Sequence, residues 1–169
     1  GSLSVRARDT FGNLVTGYTG TVQLTSSDTT HSSLPSPYSF VAADNGAHTF
    51  ATLSLGTGGQ QSIIATDTLS STITGSQNGI QVNATTAATL IVSGFPSAPT
   101  AGVVSSATVR AVDQFGNTAP GYRGSVVFTS TDPLAAFPAV YTFTVADNGV
   151  HSIGSITLKS AGTQSLTAT

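Results

Sequence analysis

Apolar and polar residues alternate along most of this chain, the period of strands that bury one face. Leu3-Ser4-Val5-Arg6-Ala7-Arg8 predicts a first strand, and Thr21 to Ser27, with Val22 and Leu24 on one face, predicts a second. Tyr38-Ser39-Phe40 opens a third, after Pro35 and Pro37 mark a loop or a sheet edge. His48 to Leu55 continues the pattern with a local slip, and Gln61 to Thr66 forms another strand. Ile73, Ile80 and Val82 belong to a last strand interrupted near Gly79. Asp44-Asn45-Gly46 carries the residue types of a tight hairpin and is expected to join its flanking strands. No stretch repeats apolar residues at helical spacing for three turns, so the expected class is all-β.

The pattern occurs twice. Asp9-Thr10-Phe11-Gly12-Asn13, Gly17-Tyr18-Thr19-Gly20 and Thr21 to Asp28 return 104 residues later as Asp113-Gln114-Phe115-Gly116-Asn117, Gly121-Tyr122-Arg123-Gly124 and Ser125 to Asp132. Tyr38-Ser39-Phe40, Asp44 to His48 and Gln61 to Thr66 return at an offset of 103 as Tyr141-Thr142-Phe143, Asp147 to His151 and Gln164 to Thr169. One residue was therefore lost or gained in the proline loop, where indels are tolerated. Two modules follow, residues 1–83 and 89–169, with Ala84 to Ala88 as a short stiff joint. The first copy has no equivalent of Thr89 to Phe95, and the second none of Ile73 to Val82. Each module is thus expected to be one terminal strand short. A longer array cut at two points explains this. So does a neighbouring chain that donates a strand into each vacancy.

Composition narrows the setting. Charged residues are 7% of the 169, Glu is absent, and the formal net charge is -2. Five scattered basic residues cannot make the positive track that nucleic acid requires. Apolar residues at 38%, rich in β-branched types, argue against disorder. With no Cys, no disulfide holds the modules. With no Met, the sequence reads as a fragment or a processed piece. Its apolar runs are strand-length, so neither a signal peptide nor a membrane-inserted helix is expected.

Asp-x-Phe-Gly-Asn, Gly-Tyr-x-Gly-(Thr/Ser)-Val, Tyr-(Ser/Thr)-Phe and Ala-Asp-Asn-Gly-x-His, each present in both copies, resemble the tandem immunoglobulin-like repeats of large bacterial surface and secreted proteins. The similarity to invasin-type and filamin-type repeats is more distant. The resemblance spans nearly the whole chain. It implies two tandem immunoglobulin-like β-sandwich modules, an extracellular or cell-surface location, and a role as stalk, spacer or filament subunit. Its implied partners are neighbouring repeats, and it brings no catalytic residue. An adhesin or carbohydrate-binding module with glycan or host-ligand contacts at its loop tips is the alternative. An accessory module of a secreted hydrolase is a third reading.

Candidate chemistry is sparse. Asp9, Asn13, Asp28, Asp113, Asn117 and Asp132 are the oxygen-bearing loop residues that could suit Ca²⁺. Their spacing lacks the density of a Ca²⁺ loop, and Asp or Asn beside Gly is an ordinary turn former. No cofactor is expected on that balance. His48 and His151 hold one frame position, and each ring is expected to bond a neighbouring backbone carbonyl. His31 has no counterpart. Tyr18, Tyr122, Tyr38 and Tyr141 are expected to pack across loops with their hydroxyls on backbone. No nucleophile is seen beside a base and an orienting group, so an enzyme is not expected. Lys159, the sole Lys, aligns with Gly56, which leaves the first copy without a Lys–Asn crosslink. Asn83-Ala84-Thr85 fits a glycosylation acceptor.

Overall fold

A computed structural model describes all residues, 1–169, and every regular element longer than a single turn is a strand. The chain divides into two compact units, Gly1–Asn83 and Ala84–Thr169. The first contains β1 (Leu3–Arg6), β2 (Thr21–Ser26), β3 (Tyr38–Ser39), β4 (Ala47–Phe50), β5 (Gly59–Asp67) and β6 (Thr74–Val82). The second contains β7 (Thr89–Ser93), β8 (Val104–Val112), β9 (Ser125–Val126), β10 (Phe128–Ser130), β11 (Tyr141–Thr142), β12 (Val150–Thr157) and β13 (Leu166–Ala168).

All pairing is antiparallel. In the first unit β1 pairs with β4, and a four-stranded sheet runs β3-β2-β5-β6. In the second, β12-β8-β7 forms one sheet, while β11 pairs with β9 and β10 with β13. The repeat holds to the residue. Val5 faces His48 as Val109 faces His151, and Leu24 faces Ala65 as Phe128 faces Ala168. Val22 faces Tyr38 as Val126 faces Tyr141.

Alternation explains where the cores sit. On β2 the burial pattern puts Val22 and Leu24 inside and Gln23 out. Together with Phe40, Phe50, Leu53 and Ile63 they form the first core, against which Leu3 and Val5 of β1 pack. The second core gathers Val109, Val126, Phe128, Phe143, Ile153 and Ile156, with Leu90 and Val92 of β7 laid against it. Each core therefore draws side chains from strands of separate sheets, as a half-buried pleat requires.

Three expectations need correction. Asp44-Asn45-Gly46 is not a hairpin: β3 pairs with β2 and β4 with β1, so the turn carries the chain from one sheet to another. It closes a 3₁₀ turn over Ala42–Asp44 with Asn45 at φ 49° and Gly46 at φ 75°. The positive-φ preference that makes a hairpin turn also ends a 3₁₀ turn, which is why the residue types look the same. The strand expected from His48 to Leu55 stops at Phe50, because Thr52 has φ 59° and breaks the ladder. Ser155 repeats the device at φ 61°, at the register shift between Ile153 and Ile156. The interruption expected near Gly79 is a bulge and not a break: the strand runs from Thr74 to Val82, but Gln61 faces Ile80 and Ile63 faces Gln77, with Gly79 at φ 68° between them.

The segment expected as a joint is hydrogen bonded to the second unit: Thr85 N–H donates to Asp113 Oδ2 at 2.9 Å and Ala88 N–H to the Val112 carbonyl at 2.7 Å.

Phe143 is the largest fully buried side chain, and its ring meets Tyr122, Tyr141 and His151 edge-on. Truncation leaves a void that the surrounding strands cannot close. Phe143→Ala is expected to lower the stability of the second unit by about 3–5 kcal/mol, read as a shifted urea midpoint with an unchanged slope. A loss below about 1 kcal/mol would contradict this placement of the core.

Candidate functional site

The residues that carry chemistry gather around carboxylates. All seven acidic residues of the chain are Asp, and each accepts hydrogen bonds from its own unit.

Asp9 and Asp113 build the Asp-x-Phe-Gly-Asn loops. Asp9 Oδ1 accepts the N–H groups of Phe11 at 2.9 Å and Asn13 at 2.8 Å, and Asn13 Nδ2 donates to Oδ2 at 3.0 Å. Asp113 makes the same three bonds with Phe115 and Asn117 and adds the Thr85 N–H. The loop reverses at Gly12 and Gly116, φ 87° and 81°, which only Gly adopts freely. The side-chain amides hold the Asp9 carboxyl below the ordinary range. Asp113, although buried, is held down to about 2 by the Thr85, Asn117 and Phe115 donors.

Asp28 and Asp132 reach across the chain. Asp28 follows β2, and its carboxylate accepts the N–H groups of His31 (2.9 Å), Gly56 (2.8 Å) and Thr57 (2.8 Å) and the Thr57 hydroxyl (2.7 Å). Asp132 repeats this with Leu134 (2.9 Å), Lys159 (2.6 Å), Ser160 N–H (3.0 Å) and the Ser160 hydroxyl (2.7 Å). Burial opposes ionisation of Asp28, and the backbone donors of Thr57 and His31 overcome it, so its carboxyl titrates well below the usual range. The Ser160 side chain and backbone do the same for Asp132. Both carboxylates are almost wholly buried.

Asp44 and Asp147 close the 3₁₀ turns and organise the aromatics. Asp44 Oδ2 accepts Val41 N–H at 2.8 Å, and both its oxygens take the Tyr38 hydroxyl at 3.2 Å. Asp147 accepts Thr144 N–H at 2.6 Å and the Tyr141 hydroxyl at 3.0 and 3.1 Å. The Thr144 backbone donor, its hydroxyl and His151 bring Asp147 to about 2. The two repeated histidines were expected on backbone carbonyls and instead address these carboxylates. His48 Nδ1 lies 3.4 Å from Asp44 Oδ1, and His151 Nδ1 lies 2.7 Å from Asp147 Oδ1. Each ring also stacks on the tyrosine, at centroid separations of 3.5 Å (Tyr38–His48) and 3.7 Å (Tyr141–His151). The strand that starts directly after Gly carries the His, two residues past that Gly, back over the tyrosine, so the contact depends on the fold as well as on the Asp-x-x-x-His spacing.

Tyr18 likewise departs from expectation. Its hydroxyl donates to the Asp67 carboxylate at 2.5 Å rather than to backbone; burial first and then this bond raise the phenol, and the bond depresses Asp67. Its ring covers Gly20, where any Cβ would overlap it, and Tyr122 covers Gly124 in the same way. That close approach is the physical content of Gly-Tyr-x-Gly.

The six calcium candidates are thus dispersed over four turns, and the structure brings no three of His, Cys, Asp or Glu together as a metal-sized group. The oxygens of Asp9, Asp28, Asp113 and Asp132 face N–H and O–H donors, whose hydrogens stand where a cation would. Asn13 and Asn117 present their amide nitrogens, not oxygens, to the aspartates. His31 Nδ1 lies 3.2 Å from the Thr57 hydroxyl beside Asp28, a placement that sequence reasoning missed because the three residues meet only in the fold.

Comparison with protein-family models, curated proteins and solved structures gives no match for this chain.

Two outcomes follow from these carboxylates. A carboxyl held below its unfolded value, about 3.9 for Asp, contributes stability in full above that value and loses it as pH falls through the folded value. With Asp113 and Asp147 at about 2, the thermal midpoint is expected to stay level near neutrality and fall steeply between about pH 4 and about pH 2. Circular dichroism melts across that range check this, and a midpoint unmoved down to pH 2 would refute it. Asp28→Ala strands the buried N–H of Gly56 and the half-buried N–H groups of His31 and Thr57, and is expected to cost the first unit on the order of 3 kcal/mol. Asp9→Ala, at an exposed loop, should cost far less in the same denaturant titration.

Proposed function

We propose that this chain is a structural segment of an extended bacterial surface protein, in which two immunoglobulin-like modules serve as stalk, spacer or filament subunit outside the cell. One observation carries the reading. The polar side chains that could do chemistry are spent twice over, at matched positions, on holding turns: Asp28 and Asp132 on distant backbone, Asp44 and Asp147 on Tyr and His. A module built this way delivers reach and cohesion, because each unit closes its own hydrogen bonds and adding units adds length. Neighbouring repeats of the same protein are its partners in that role.

Loop-tip recognition of a glycan or host ligand is a second reading, favoured by Phe11, 89% exposed at the tip of its Asp-x-Phe-Gly-Asn loop, and by Leu69, 93% exposed.

Immunogold labelling of the producing cells with antibody against residues 1–169 tests the main reading. Label standing off the envelope on intact cells is expected; label seen only in sectioned cytoplasm would overturn it. The second reading predicts that Phe11→Ala abolishes retention on a glycan array or host-cell layer with the fold unchanged. Equal retention of both proteins would remove it.

A further inference from the structure

The two units differ at their ends: β6 has no counterpart in the second, and β7 has none in the first, where the second unit serves as the control. In the second unit β8 has strands on both sides, β12 on one and β7 on the other. In the first, β1 pairs with β4 alone. Along the free side of β1 runs a groove of about 610 Å³, walled by Leu3, Val5, Ile63 and Ala65 and by Thr74 and Gln77 of β6. The matched place in the second unit is filled. Leu90 and Val92 of β7 pack on the core there, and β7 lies against β13, the counterpart of β5.

Burial follows the same difference. Val109 is 0% exposed beneath β7, whereas its counterpart Val5 is only half-buried. Asp113 is 2% exposed under Thr85, whereas Asp9, with the same loop bonds, is exposed. The open groove and the uncovered carboxylate of the first unit lie at the two positions that β7 and Thr85 cover in the second.

We propose that this groove is a strand-acceptor site, and that its occupant is a segment of the Thr85–Phe95 type supplied from directly ahead of Gly1. The strand runs antiparallel to β1 in the register of Leu90 on Ala111 and Val92 on Val109, so its apolar residues fall opposite Ala7 and Val5. Its leading Thr-type residue gives its N–H to the free side of Asp9, as Thr85 does to Asp113. Supply within one chain, rather than from a second copy, follows from the second unit: β7 and β8 are consecutive strands there, joined by residues 94–103. Backbone pairing provides affinity and the alternating apolar residues provide selection, as in other strand additions. The proposal rests on the array reading only for the origin of the strand; the groove and its selectivity are tested separately from cell-surface location.

The test places a copy of residues 84–104 ahead of Gly1 in the full chain, the spacing by which Ser105 matches Gly1. The thermal midpoint of the first unit is expected to rise by at least about 5 °C, the size of effect that a kcal-scale gain has on a module this small. Amides on the free side of β1 should exchange at least about tenfold more slowly. A copy carrying Leu90→Asp and Val92→Asp should give neither change. As a second measurement that needs no refolded variant, a synthetic peptide of residues 85–96 added to the unmodified chain should bind saturably and slow the same amides. The proposal is overturned if extension and peptide both leave β1 exchange unchanged. It is overturned equally if the Asp-bearing copy protects as well as the intact one, or if protection in the extended chain depends on protein concentration, which would assign the groove to a second copy.

Discussion

A carboxylate that accepts two or three backbone N–H groups can fasten a turn without help from the core, and both units depend on that interaction. Loops of a small all-β unit carry peptide groups that the sheets cannot pair, and an unpaired buried N–H costs as much as a lost core contact. Asp28 pairs such groups at residues 31, 56 and 57, bringing the loop after β2 against the loop that leads into β5. Asp132 does so at 134, 159 and 160. The donors keep these groups ionised while buried, so a charge that would ordinarily oppose burial becomes the anchor. No disulfide is needed for the purpose, and none is available.

The aromatic cluster is built on the same principle. Asp44 fixes the 3₁₀ turn through Val41, the turn aims the strand that carries His48, and the imidazole then lies flat on Tyr38, whose hydroxyl returns to Asp44. The circuit is closed: backbone, phenol and imidazole share one carboxylate. Its repetition around Asp147 with shorter contacts, 2.7 Å against 3.4 Å for the histidine, shows that small differences in sequence retune the geometry without altering the plan. Thr144 in place of Val41 adds a hydroxyl donor to Asp147.

Much of this was legible in the residues, and the limits have physical causes. Alternation located the strands because a core shared between sheets imposes period two on each strand. The repeat located the two units because homologous positions share a register. The hairpin at Asp44-Asn45-Gly46 was misread because positive-φ residues report a local dihedral, not which strand receives the chain next. The partners of Asp28 were out of reach, since Thr57 lies 29 residues away and only the fold brings it near. The carboxylate–histidine contacts were closer to hand: the Asp-x-x-x-His spacing recurs in both copies, and reading the two residues as a pair would have found them. The immunoglobulin-like resemblance stands as a proposal.

The position of the single length difference between the copies tests how far these anchors isolate the loops between them. The offset changes from 104 to 103 between Asp28 and Tyr38, and between Asp132 and Tyr141 in the second unit. On the N-terminal side of that loop a carboxylate has already fastened residues 28 to 31; on the C-terminal side the Tyr38–Asp44 contact fastens the next turn. A residue gained or lost between two closed anchors changes only the loop, so the strand register on either side survives, as the matched pairs Val22 with Tyr38 and Val126 with Tyr141 show. The same independence lets a unit be repeated, because each turn is secured from within and needs nothing from its neighbour.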